Sequence, residues 1–147
     1  SKTELMYHGT PNSDPEKIKT ALWTMLTNAL SATAEAEVDV SGCKVFVTNR
    51  PDASAMDMFA VVDINGTVTD YDGYSRCVCM VQLFASDIDK IGTPNMVVLS
   101  NLYDTLVSAL PYNEAPYTFS KKNQIGRRDP HGFHVTMVNL DCLIYKT

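Results

Sequence analysis

Apolar and polar residues alternate most regularly between Ser75 and Ser86, SRCVCMVQLFAS. One alternate set, Cys77, Cys79, Val81, Leu83 and Ala85, is wholly apolar; the other, Arg76, Val78, Met80, Gln82 and Phe84, is mixed. A period of two over such a run predicts a long strand with one face on a core. We read it as the central strand of an antiparallel sheet. Upstream, Met58 to Ile64 (MFAVVDI) is a buried strand, and Asn65-Gly66 is a strong hairpin signal. Thr67 to Tyr71 then leads to a second turn at Asp72-Gly73.

Helical spacing takes over in two places. Asp14-Pro15-Glu16 supplies an N-cap, a proline at the first helical position and an acid in the first turn. Ile18, Leu22, Met25, Leu26, Ala29 and Leu30 follow as an apolar stripe, with Trp23 at its edge. Thr93-Pro94 opens a second helix whose stripe is Leu99, Leu102, Tyr103, Leu106, Val107 and Leu110, ended by Pro111. The β-branched Val97 and Val98 argue for a start a few residues after the proline.

Shorter segments fill the remainder. Ser31 to Gly42 is small and acidic, with Val38 and Val40 suited to a short edge strand. Lys44 to Thr48 is a strand that Asn49-Arg50-Pro51 ends, and Pro51 to Asp57 is a loop. Ala115 to Lys121 is a strand, followed by a basic, turn-rich loop, KKNQIGRRDPHG. The last strand runs from Phe133 to Tyr145 with His134, Thr136, Val138, Leu140, Cys142 and Ile144 facing inward. The order predicts an α+β domain over 14–147, an antiparallel sheet with two helices on one face and a protruding hairpin, preceded by an arm over 1–13.

Composition narrows the function. At 147 residues the chain is long enough for one domain with a real core, and its net charge of −5 argues against general nucleic-acid binding. No apolar run reaches the roughly 20 residues that span a bilayer, and SKTELMYHGT lacks a signal-peptide layout. Cys43, Cys77, Cys79 and Cys142 contain no C-x-x-C pair and read as buried free thiols of a protein made in a cytosol. No metal ligand set or cofactor motif is expected from the spacing.

Candidate chemistry is sparse. Two H-x-T triplets, His8-Gly9-Thr10 and His134-Val135-Thr136, are similar to the paired motifs of two-histidine phosphoesterases. The second suits a strand; Gly9 and Pro11 break the first. Tyr7 to Thr10 also resembles the opening motif of ADP-ribosyltransferases, but no successor motif follows in a fitting order. Asp70, Asp72 and Gly73 echo a calcium loop, yet Val81 stands where its bidentate acid belongs. The clustering of Lys121, Lys122, Arg127, Arg128 and His131 in an acidic chain points to contact with an acidic protein surface or a nucleic-acid backbone, or else to a hairpin tip kept soluble by charge.

The element order resembles the tail-terminator and tail-completion (head–tail joining) proteins of long-tailed bacteriophages. The likeness rests on the helix Pro15 to Leu30, the strand and proline loop of KVFVTNRPDA, the long hairpin MFAVVDINGTVTDYDGYSRCVCMVQLFASD and the helix from Pro94 to Leu110. The arm before Asp14 and the basic 121–131 segment depart from that plan. The resemblance implies a structural virion protein, assembled in the bacterial cytoplasm, without a catalytic site or cofactor. It also implies a homo-oligomeric ring, commonly a hexamer, in the phage neck, where it ends the tail and joins it to the connector. Tail-tube and connector proteins, and passing DNA in the channel, would be its partners. A closed ring needs two different patches that meet head to tail. The expected contact residues are Lys121, Lys122, Arg127, Arg128 and His131 of the basic segment, Asp70 and Asp72 of the hairpin, Trp23, and the arm. The alternatives are a small phosphoesterase-like enzyme using His8 and His134, and an α+β adaptor that binds protein through a sheet edge.

Overall fold

The computed structural model describes residues 11–53, 55–89 and 92–145. These form an α+β fold: a seven-stranded, mostly antiparallel sheet with two helices on one face. The strands are β1 (Lys44–Val47), β2 (Met58–Ile64), β3 (Thr69–Asp70), β4 (Tyr74–Ser86), β5 (Tyr112–Glu114), β6 (Tyr117–Asp129) and β7 (Phe133–Tyr145). The helices are α1 (Pro15–Ser31) and α2 (Met96–Ser108). Across the sheet the order is β1-β2-β4-β7-β6-β5, with β3 also on β4.

The long alternating run is the centre of this sheet. β4 pairs with β7 over thirteen residues, from Tyr74 opposite Tyr145 to Ser86 opposite Phe133. Cys77, Cys79, Val81 and Leu83 face the helices with Val138, Leu140, Cys142 and Ile144, and all are buried. α1 rests mainly on β1 and β2, and α2 on β4 and β7. Asp14 caps α1 through its carboxylate, which accepts from the Glu16 N–H at 3.1 Å, and Pro15 occupies the first position. Ile18, Leu22, Met25, Leu26 and Leu30 are its buried stripe. α2 starts at Met96, capped by Asn95 rather than by Thr93, because the Asp89 carboxylate holds the Thr93 N–H and hydroxyl.

Several expectations need correcting. The basic segment after Lys121 is not a loop: β6 continues to Asp129, shifted in register between Lys121 and Asn123, and only 130–132 turn the chain. The sheet is not wholly antiparallel, since β1 and β2 run parallel. Thr48, at φ 65° in the left-handed region, turns the chain out of β1. In the connection that follows, Ala53 and Met56 pack in the cluster of Phe59 and Phe84 on the sheet's other face, and β2 begins at the same end as β1. Asn65-Gly66 is not a hairpin turn either. Ile64 pairs with Cys79 and Thr69 with Arg76, so four residues, 65–68, bulge opposite two of β4. The hairpin closes at Tyr71–Tyr74 instead, where the Tyr71 N–H donates to the Tyr74 carbonyl at 2.8 Å. Val38 and Val40 form no strand, although Val40 is fully buried. β5, which starts the closing hairpin, had no sequence counterpart.

Thr27, on α1, has a buried hydroxyl with no hydrogen-bond partner among the described residues. A methyl fits the same volume without an unmet polar atom. Thr27→Val is expected to raise unfolding free energy by about 1 kcal/mol, read by urea denaturation; a loss of stability would show that the hydroxyl is satisfied.

Candidate functional site

Two edges and one open face of the sheet hold the functional possibilities. β5 pairs only with Tyr117 to Phe119, so from Ser120 onward β6 has β7 on one side and, among the described residues, no strand on the other. Residues 121–128 are all exposed. The sequence reads as a loop here because a lone edge strand with no sheet on one side exposes both its faces. Lys, Arg and a bulge are also how natural sheets discourage unwanted pairing at an edge.

The five basic candidates fall around this edge but differ in freedom. Lys121 faces the helices, where its ammonium donates to the Tyr103 hydroxyl and lies 5.1 Å from the ring centroid. Gln124 accepts from the same Tyr103 hydroxyl at 3.2 Å. Lys122 occupies the register shift. Arg127, opposite Val135, lies on the open face, whereas Arg128 lies opposite His134 on the helix face. The Arg128 guanidinium fills the space a side chain at Gly92 would need, 2.8 Å from the Cβ position, and Gly92 has φ +86°. His131 is exposed in the terminal turn, its N–H donating to Asp129 at 3.1 Å.

Arg50, which the sequence reading did not single out, locks this hairpin tip to the rest of the sheet. Its guanidinium forks onto the Asp129 carboxylate at 2.6 and 2.9 Å. It also lies 4.9 Å from the Phe84 ring centroid, 5.6 Å from Phe59 and 5.7 Å from Phe133. Phe59 and Phe84 stack at 4.4 Å, and Phe133 meets Phe59 edge-on at 5.3 Å. A planar cation over three rings with a bidentate acid is an arrangement that lysine cannot reproduce. The strands that carry the three rings were visible from their patterns; the arginine in a turn seventy-nine residues from its acid was not.

At the other side of the sheet, the β1 edge is partly closed. The Trp23 indole N–H donates to the Val45 carbonyl at 2.9 Å while the ring stays 38% exposed. Beside this edge, the 32–43 connection carries exposed Glu35, Glu37 and Asp39 and no cation. Ser41, through its hydroxyl and then its N–H, holds the Asp39 carboxyl below the usual range. Asp70 is tied to the buried Ser75 hydroxyl, so it fixes the β3–β4 hairpin rather than standing free. Asp72 is exposed at the hairpin tip, next to stacked Tyr71 and Tyr74.

Little converges for catalysis. The His134 Nδ1 lies 2.6 Å from the Asp87 carboxylate, which joins β7 to the start of the connection before α2. Thr136 shares its face, as the alternation predicted, but His8 lies outside the described residues. A groove of about 760 Å³ runs between the start of α1 and β2–β3. Its walls carry Lys19, shared by Glu16 and Asp63 at 3.2 and 3.5 Å, and no histidine or cysteine. A smaller groove of about 410 Å³ is lined by Arg50, Pro51, Asp52, Ala53, His131 and Phe133. No helix among the described residues is long and apolar enough to cross a membrane.

All four thiols are free and buried, as expected, and three of them lie together. Cys142 stands directly opposite Cys77, and the three sulfurs of Cys77, Cys79 and Cys142 lie within 4.8 Å of one another. Hydrogen bonding from Cys142 and then from Cys79 lowers the Cys77 thiol, while the bond with Cys142 raises Cys79. Cys43 stands apart from this group, and burial pushes its thiol up to about 12.

No family model matches the chain, and no curated protein does. Among 27 chains of solved structures that match, one whose title carries no functional word aligns over 88% of this chain and 94% of its own. It is 16% identical with a TM-score of 0.55, a likeness of fold alone.

The Arg50–Asp129 pair gives a stability prediction. The Arg50 hydrogen bond, foremost, holds the Asp129 carboxyl below its ordinary 3.8. An acid depressed in the folded state stabilises above its unfolded pKa, and that contribution disappears as pH falls through the lower folded value. Arg50→Ala is expected to cost roughly 2 kcal/mol at neutral pH, with Arg50→Lys recovering less than half. The deficit should shrink below about pH 4. Chemical denaturation across pH measures this; a deficit that is constant down to the acid limit would mean that the ion pair contributes nothing.

Proposed function

We propose that this chain is a structural subunit that joins copies of itself head to tail into a closed ring, serving in the neck of a long-tailed phage between tail tube and connector. In this reading it has no catalytic site of its own, and its place is the virion. The observation that carries the proposal is the exposed, basic outer edge of β6 in a chain whose opposite flank is acidic. Residues 121–128 hold four cations and no acid, whereas 32–43, the segment leading into β1, holds Glu35, Glu37 and Asp39 and no cation before Lys44 of β1. Two unlike, charge-complementary patches on opposite flanks of one sheet are what a heterologous junction requires. Exposed apolar side chains accompany each patch, Ile125 on β6 and Trp23 and Val47 at β1. A junction between them excludes water from both while the charges set register.

The β6 edge then rests against the 35–39 segment and the Trp23 flank of the next copy. Trp23 already uses the Val45 carbonyl, so side chains rather than a continuous strand ladder make the contact there. Lys122, Arg127 and Arg128 meet the acids, and Asp72 lies apart at the hairpin tip, free for a tail or connector protein.

Charge reversal tests the junction. Lys122→Glu/Arg127→Glu and Glu35→Lys/Glu37→Lys should each weaken self-association by at least about tenfold, while an equimolar mixture should re-form the wild-type oligomer. Sedimentation velocity at low and high salt is the readout, with association falling as salt rises. A wild-type chain that stays monomeric at its highest soluble concentration and low salt contradicts the ring reading.

A further inference from the structure

On the helix-covered face, in the layer where β4 meets β7, the sheet gathers three sulfurs and, among the described residues, no other metal-binding group with them. Cys77 and Cys79 project from alternate positions of one strand, and Cys142 enters from the facing strand. All three are at most 3% exposed, and the Cys77 and Cys79 sulfurs are 3.9 Å apart. We propose that Cys77, Cys79 and Cys142 form a buried three-sulfur site for one soft monovalent metal ion, Cu(I).

The geometry selects this class of ion. Metal–thiolate bonds near 2.3 Å place the sulfurs of a trigonal site about 4.0 Å apart. The observed 3.9 Å separation meets that spacing, and the third sulfur lies close enough to close the triangle with a small side-chain shift. Structural zinc closes a tetrahedron, and no fourth histidine, cysteine or carboxylate joins the group among the described residues. A ligand set of thiols alone favours a soft ion over magnesium, calcium or manganese.

The layer is walled by Leu140, Val81, Phe119 and Ile144. On binding, the thiols release their protons to solvent and coordinate as thiolates, and copper stays in its monovalent state. Such an ion would tie β4 to β7 at the layer's centre, and because all three cysteines are buried it would enter during folding or on local opening.

The test uses the full, reduced chain and Cu(I) supplied as its acetonitrile complex, in competition with the coloured chelator bicinchoninate. One copper per chain should be retained, with a raised melting temperature and an X-ray absorption shell of three sulfurs at about 2.3 Å. Cys79→Ser and Cys142→Ser should each lose affinity by more than the roughly 10–100-fold typical of supporting groups, while Cys43→Ser, buried outside the group, should bind as wild type. If a serine variant unfolds, the absorption shell of the wild type still decides. Copper surrendered quantitatively to the chelator, a shell containing nitrogen or oxygen, or equal loss in Cys43→Ser would overturn the proposal.

Discussion

The rest of the molecule depends on the unbroken pairing of β4 with β7. Thirteen residues facing thirteen fix which side chains look toward the helices and which look away. A slip of β4 by one residue would turn Val81 and Leu83 out of the core while Val138 and Leu140 of β7 stayed in it. The same register sets Cys142 opposite Cys77 and brings Phe84 beside Val135, so the thiol layer and the aromatic cluster are two consequences of one ladder. It also carries β7 past the end of α2, and β6, paired with β7, is drawn out along with it.

That extension explains why the basic edge stands where it does. A hairpin arm held at its base alone would fray, but Arg50 holds the tip by a forked bond to Asp129 while lying over three aromatic rings. Lys121 and Gln124 are held at mid-length by Tyr103 of α2. The edge is therefore a rigid, charged rail, with its costs of ordering met before any partner arrives. On the other flank, Trp23 closes part of the β1 edge and leaves an acidic turn beside it. The asymmetry between the flanks is built into the monomer.

Much of this was legible from periodicity. α1, β2, β4 and β7 show their periods because each has one face in a packed core. The α+β class followed from their order. What stayed hidden lacked that contrast. β6 beyond Ser120 has no buried face, so its charges read as a loop, and β1 pairs parallel because Thr48 sends the chain over the sheet rather than into a tight turn. Asn65-Gly66 is a strong turn signal that the fold uses for a bulge. Arg50 matters through partners distant in sequence and had no local pattern to mark it; alternation put Cys142 on the inward face of β7 but could not place it opposite Cys77. Of the expected contact residues, Lys122, Arg127 and Asp72 are exposed. Asp70 and Lys121 are engaged within the chain, and Arg128 packs at Gly92.

The central claim is that the outer edge of β6 is the surface through which copies meet. Hydrogen exchange of the backbone amides over 120–129, compared between dilute monomer and assembled protein, measures this directly. The account predicts that amides on the side of β6 away from β7 are slowed on assembly, together with those of 35–39, while β3–β4 tip amides are unchanged. An oligomer that forms with 120–129 exchanging as fast as in the monomer would contradict it.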